Sequence, residues 1–189
     1  LDVGSGHGGG SHAMAKKFGC KVTGINIGPG QNAMNLAKAK ELKLDHLVDA
    51  VVGNINDPLP EEWTGKFDAI WSCEVLCHAG DKLALFKDLY RCLKPGGAFV
   101  FSDICGADGA DEKALKAFTD RNATTFMGRP SQYIQDVKDS GFTYVNWWDG
   151  SNHLEIYFRD MVKQIDDNIE EMKLKGSTDH YLDNWHGSL

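Results

Sequence analysis

Three glycines at alternate positions and a fourth directly after them, in Asp2-Val3-Gly4-Ser5-Gly6-His7-Gly8-Gly9, separate a short apolar run from the helical stretch Ser11 to Phe18. The apolar run reads as the end of a buried strand. A glycine-rich link of this kind lets backbone pass close to a nucleotide-type ligand where Cβ atoms would block it. It fixes a strand-turn-helix order and places a ligand at the strand's carboxyl end. The same rhythm recurs downstream. Cys20 to Ile27 reads as a strand, Gln31 to Lys43 as a helix, Val48 to Val52 and Phe67 to Trp71 as strands. Lys82 to Leu93 reads as a helix, Lys94-Pro95-Gly96-Gly97 as a turn and Ala98 to Ile104 as a strand. Strands alternating with helices imply right-handed crossovers, hence an α/β fold with a doubly wound, mostly parallel, Rossmann-like sheet. Ligands of such sheets bind at the carboxyl ends of the strands.

After Cys105 the pattern changes to a polar loop, helical stretches near Glu112 to Phe126 and Ser131 to Ser140, and an aromatic strand, Phe142 to Trp148. From Ser151, a candidate N-cap, Leu154, Phe158, Met161, Ile165, Ile169 and Met172 form one apolar stripe of a long amphipathic helix. Counting the aromatic strand, the sheet is expected to have six strands. The chain reads as truncated at both ends, with a lid helix and a last antiparallel strand outside the sequence. A length of 189 residues, 42% of them hydrophobic, suits one domain with one sizeable core. Residues 1–105 would form its cofactor-binding core and 106–189 its acceptor-side helices and late strand.

The net charge of -7, with no Lys/Arg cluster, excludes affinity based on a phosphate backbone, so no nucleic-acid partner is expected. No stretch approaches the roughly 18 apolar residues of a membrane span. The five cysteines are odd in number and spread out, without a C-x-x-C pair. They suggest neither a disulfide framework nor zinc, and fit the cytoplasm or another reduced intracellular compartment, an upstream targeting segment being left open. Asp45-His46, the Cys73/Cys77 pair and the acidic run from Asp166 to Glu171 fall on different elements or on a solvated helix face, so no metal site is expected. Nothing in the sequence speaks to oligomeric state.

Because Gly9 completes a G-x-G-x-x-G, the glycines alone also fit a dinucleotide. Three features favour a methyl donor instead: Asp2 two positions before the glycines, Asn26 rather than an acid at the end of the second strand, and Gly53-Asn54-Ile55 after the third. With Leu1-Asp2-Val3-Gly4-Ser5-Gly6-His7-Gly8-Gly9 as first motif and Leu93-Lys94-Pro95-Gly96-Gly97 before the fifth strand, the chain resembles class I S-adenosylmethionine-dependent methyltransferases over nearly its whole length. The resemblance implies S-adenosyl-L-methionine as cofactor and S-adenosyl-L-homocysteine as product. It implies that Gly4 and Gly6 serve the methionine part, Asn26 and Ile27 the ribose, and Asn54 and Ile55 the adenine, with Asp2, Gln31 and Ser72 as further cofactor contacts. Asn26 and Asn54 depart from the acids usual at these places, though an amide can still hydrogen-bond a diol; each also suits a strand-end or loop cap.

Within that class, Asn26-Ile27-Gly28-Pro29-Gly30-Gln31-Asn32 and the stretch from Trp71-Ser72-Cys73-Glu74 through His78 to Asp81-Lys82 resemble sarcosine/dimethylglycine methyltransferases, as does Tyr181 to Ser188 around a Trp. Sterol and tocopherol methyltransferases share much of this pattern. No Asn-Pro-Pro-[Tyr/Phe] follows the fourth strand, which speaks against DNA-base methylation. The acceptor is then a small molecule, most simply the amine of sarcosine or dimethylglycine. His78, in the loop after the fourth strand near Glu74, is the candidate base or acceptor orienter, with a plain loop-capping role as the alternative. Arg129 is the candidate for an acceptor carboxylate. His153 and Tyr157, four apart on the long helix, share a face that can meet the acceptor or simply pack. The Trp147-Trp148 pair offers a cation–π face, with core packing the simpler reading. A carbon methyltransferase acting on a sterol- or tocopherol-like lipid, a non-catalytic cofactor-binding module and a nicotinamide oxidoreductase stay open at this point.

Overall fold

Val3 is completely shut off from solvent because β1 (Asp2–Val3) lies at the centre of a parallel sheet, between β2 (Val22–Asn26) and β4 (Phe67–Cys73). β3 (Val48–Val52) pairs with β2, and β5 (Leu93–Ser102) with β4, giving the order β3-β2-β1-β4-β5. The computed structural model describes residues 1–124, 126–179 and 182. They fall into two compact units, one made of Leu1–Gly109 and the described part of Thr125–Val145, the other of Ala110–Thr124 and the described part of Asn146–Leu189.

In the first unit, α1 (Gly9–Phe18) and α2 (Pro29–Glu41) pack on β2 and β3 over a small core of Ala15, Val22, Ala39, Leu44 and Val48. Pro29 starts α2 at the position where a missing N–H costs nothing. The larger core joins β1, β4 and β5 to α3 (Lys82–Cys92) and α5 (Pro130–Asp139), with Phe86 at its centre, 5.8 Å from Phe101 and 6.1 Å from Tyr133. α3 is opened by Asp81, whose carboxylate accepts from the Ala84 amide at 2.9 Å. The second unit holds α4 (Glu112–Asn122) and α6 (Ser151–Leu174). Of the apolar stripe along α6, Ile165 is buried, and Leu154, Phe158, Met161, Ile169 and Met172 are partly so. None of the described helices is long and apolar enough to cross a membrane.

Three expectations are corrected. The described sheet has five strands, not six, because Phe142 to Trp148 joins no ladder. Its alternation is real, but alternation only sorts side chains, whereas a strand needs partner backbone. Phe142 instead packs edge-on against Tyr90 at 5.1 Å, and Tyr144 and Trp148 are 80% and 76% exposed. The Lys94 to Gly97 turn is absorbed into β5 as an irregularity: Leu93 pairs with Phe67, and the next pair is Ala98 with Ala69. Ser151 is the first residue of α6 rather than its N-cap, and Asp149 accepts from both its amide (2.9 Å) and its hydroxyl (2.5 Å). The Tyr181 to Ser188 segment lies, apart from Leu182, outside the described residues.

Candidate active site

The order of the strands reverses between β1 and β4, and that is where an open parallel sheet leaves a crevice at its carboxyl edge. The glycine turn closes one wall of it. Gly4 and Ser5 both donate their amides to the Ile25 carbonyl, at 2.8 and 3.2 Å, which pins the turn to β2. Gly4, Gly6 and Gly8 all adopt left-handed φ, at 76°, 50° and 85°. A Cβ on Gly4 would lie 2.3 Å from the Val75 side chain, and one on Gly8 2.0 Å from Asn35 Oδ1. Those two glycines are required by the chain's own packing. A Cβ on Gly6 would meet nothing of the chain within 4 Å, so this part of the turn faces open space.

Asp2 is buried and accepts from the Ser11 hydroxyl at 2.6 Å and from the Ser11 amide, so it caps the first turn of α1 from the neighbouring strand. Burial raises its pKa, against the pull of those hydrogen bonds. At the end of β2, Asn26 donates Nδ2 to Gln31 Oε1 at 2.9 Å and more weakly to the Gly28 carbonyl at 3.4 Å, which fixes the plane of its amide. Ile27 beside it is 65% exposed, an apolar surface next to an oriented amide. Oriented amide, apolar edge and bare glycine backbone suit a nucleoside joined to an amino acid, so these residues fit S-adenosylmethionine.

Some predicted contacts are engaged within the chain. The Asn54 side-chain Oδ1 accepts from the backbone amide and from Nδ2 of Asn56, at 3.0 and 3.2 Å, forming a local turn. Ile55 packs on the larger core. Ser72 is buried, with its hydroxyl donated to the Val3 carbonyl at 3.0 Å. Asn56 was not singled out by the sequence, yet its Nδ2 donates to the His78 carbonyl at 3.2 Å and its Oδ1 accepts from the Gly80 amide at 2.7 Å. It straps the loop after β3 to the loop after β4.

On the β4–β5 side, Glu74 takes a left-handed φ of 55°, rare for a non-glycine residue, while its amide donates to the Ser102 carbonyl. His78 closes a single 3-10 turn, Leu76–His78, and its exposed imidazole makes no hydrogen bond to a described residue. The sequence reasoning missed Asp103, directly after β5. Its Oδ2 accepts from the Tyr133 hydroxyl, and its Oδ1 is closed off from solvent beside the Cys77 amide and thiol. Burial raises the Asp103 carboxyl to about 6, with Glu74 adding to the rise and Tyr133 and Lys82 opposing it. The Cys77 thiol is pushed up to about 12 by burial and by Asp103, so it stays protonated and is no nucleophile. Lys82, also buried, donates to the Ala79 carbonyl at 3.0 Å and lies 4.4 Å from the centre of the Phe126 ring. The signal for Asp103 was available: an acid at the carboxyl end of a predicted strand. Arg129 donates Nη1 to the Ala107 carbonyl at 2.5 Å, which holds its guanidinium on the loop after β5. His153 and Tyr157 belong to the second unit, where both are exposed and His153 lies 5.5 Å from Trp148.

Residues 1–101 match the family described as "Methyltransferase domain". The sarcosine/dimethylglycine N-methyltransferase of Halorhodospira halochloris is 29% identical over 192 residues, which cover 96% of this chain and 68% of that protein. A crystal structure from Galdieria sulphuraria described as a sarcosine dimethylglycine methyltransferase superposes with a TM-score of 0.87 at 25% identity, over 100% of this chain and 72% of that one. The phosphoethanolamine N-methyltransferase 2 of Haemonchus contortus, solved in complex with S-adenosyl-L-methionine, shares the fold with a TM-score of 0.85 at 23% identity, over 99% of this chain and 42% of that one. A family match running from the glycine turn to the last residues of β5 takes in the whole sheet: the chain belongs to the methyltransferase domain family and is an S-adenosylmethionine-dependent methyltransferase.

Proposed function

We propose that this chain methylates the nitrogen of a small amine of the sarcosine or dimethylglycine type, releasing S-adenosylhomocysteine. The observation that carries this reading is Asp103, a largely buried carboxylate at the carboxyl end of β5 that accepts from the Tyr133 hydroxyl and lies beside the Cys77 amide. With Glu74 close enough to raise its pKa, it makes the acceptor end anionic. An anionic end suits an acceptor that arrives as an ammonium ion and leaves more highly methylated and still cationic. A sterol-like acceptor gains nothing from such a carboxylate at the ground state.

When bound, the cofactor supplies an electrophilic methyl on sulfur. The nitrogen lone pair forms the new C–N bond as the C–S bond breaks, and the positive charge passes from sulfur to nitrogen. Alignment supplies most of the acceleration in such a displacement. Asp103 would orient the acceptor nitrogen. His78 is the proposed acceptor of the proton that an ammonium must lose before it attacks. Arg129 is the proposed anchor of the acceptor carboxylate, Glu74 a second anionic group, and His153 and Tyr157 further acceptor contacts. Gly4, Gly6, Asn26, Ile27, Gln31, Asn54 and Ile55 are the proposed cofactor contacts; Asp2 and Ser72 would act by fixing α1 and the end of β1.

The reading is tested by a methyl-transfer screen over glycine, sarcosine, dimethylglycine, phosphoethanolamine and a sterol, with Asp103→Asn beside the parent. Turnover on sarcosine or dimethylglycine, lost in the variant while S-adenosylhomocysteine still binds, supports it. Turnover confined to phosphoethanolamine or the sterol overturns the acceptor assignment.

A further inference from the structure

The seam between α1 and α2 changes character along its length. Away from the glycine turn it is apolar, with Ala15 and Ala39 almost fully buried. Next to the turn it is polar: Ser5, His12, Asn32 and Asn35 are each more than nine-tenths buried. His12 Nε2 donates to the Asn35 backbone carbonyl at 3.1 Å, a direct strut between the two helices. Five further atoms, Ser5 Oγ and both amide atoms of Asn32 and of Asn35, make no hydrogen bond to the described residues. Buried amides and hydroxyls without partners are costly, and apolar side chains of the same shape would cost less. Unpartnered buried polar atoms are those that ordered internal water satisfies, one water needing two to four partners, and Asn32 and Asn35 stand one turn apart on the buried face of α2. Their placement joins them to the turn: Asn35 Oδ1 would sit 2.0 Å from a Cβ on Gly8, and Ser5 is itself part of the turn.

We infer that Ser5, Asn32 and Asn35 form a closed cradle for internal water beneath the glycine turn, and that Asn32 and Asn35 act through it as positioning residues for the cofactor. The cradle stands on the geometry alone, whereas the positioning role rests on the reading that the turn receives the methionine end. An amide on α2 that holds water against the turn fixes the backbone between Gly4 and Gly8 without touching the ligand.

A crystal structure of the protein with S-adenosylhomocysteine, at a resolution that shows ordered solvent, tests the cradle directly. Water within hydrogen-bond distance of at least two of Ser5, Asn32 and Asn35 is the expected result. Amides turned onto one another or onto backbone in a dry seam would overturn it. The positioning role is tested with Asn32→Leu/Asn35→Leu, or with Asn32→Leu alone if the pair does not fold. The expected variant melts no lower than the parent but binds S-adenosylhomocysteine about tenfold more weakly, with kcat at saturating cofactor little changed. Asn35→Ser, which keeps a hydroxyl and admits another water, should recover most of the affinity. Unchanged affinity, or affinity and melting temperature falling together, would reduce the amides to a packing role.

Discussion

Tyr133 donates its hydroxyl to the Asp103 carboxylate, tying α5 to the end of β5, and this hydrogen bond opposes the burial that lifts Asp103 to about 6. The ionised form is the one Tyr133 favours. The rate with a small amine should therefore fall as pH drops through about 6, where Asp103 takes up its proton. Tyr133→Phe removes the opposing hydrogen bond, so Asp103 titrates at higher pH and the acid limb of kcat/KM shifts upward. A profile that keeps its acid limb in place in the variant would detach that limb from Asp103.

The same carboxylate makes a stability prediction of definite sign. Its folded pKa, about 6, lies above the ordinary 3.8, so the folded chain holds the proton more tightly and loses stability as pH rises through that window. Asp103→Asn should thus gain stability over the parent between about pH 4 and 6 and keep the gain at pH 7, while losing acceptor turnover. Thermal melts of both proteins across this range are the check.

Gly6→Ala separates ligand clearance from backbone strain. A left-handed alanine costs about 1–2 kcal/mol of stability, and the added methyl meets nothing of the chain. A loss of S-adenosylhomocysteine affinity of more than about tenfold, measured by calorimetry on the folded variant, would place the ligand over Gly6.

Asn26→Ala should weaken S-adenosylhomocysteine by roughly tenfold, the worth of one good hydrogen bond. Asn26→Asp should bind at least as well as the parent, because Gln31 can turn its amide to donate where it now accepts. Calorimetry on both variants decides whether this side chain meets the cofactor.

His78→Gln should lower kcat by about 10²-fold or more if the imidazole takes the acceptor's proton, with cofactor affinity unchanged. A variant as fast as the parent leaves His78 a loop residue.

The parallel core was legible because its central strands, β1 and β2, are almost wholly buried and its helices carry clear periods. Val48 to Val52 was read with its observed bounds, and the glycine turn was placed correctly between β1 and α1. The misreadings differ in cause: Ser151 was displaced as cap by its near neighbour Asp149, whereas the late strand failed on partners distant in sequence. Phe142 to Trp148 has the composition of a strand, but the Phe142 ring packs on α3 and β5 while the segment's backbone joins no described ladder. In the site, the sequence located strand ends well and side-chain commitments poorly. Nothing local to Ser72 says that its hydroxyl serves Val3, and nothing local to Asp103 says that Tyr133 reaches it from 30 residues away.

Asn56 gives the crevice a mechanical property beyond its chemistry. One side chain grips the loop after β4 at both His78 and Gly80, while its own loop follows β3, beside Asn54 and Ile55. The two loops are therefore tied by direct hydrogen bonds, and a ligand that settles against the first bears on the second. If the first carries the adenine and the second faces the amine, donor and acceptor cannot bind independently. Each should tighten the other's hold by the same factor, the kinetics should be sequential, and cutting the strap with Asn56→Ala should leave two binding events that ignore each other.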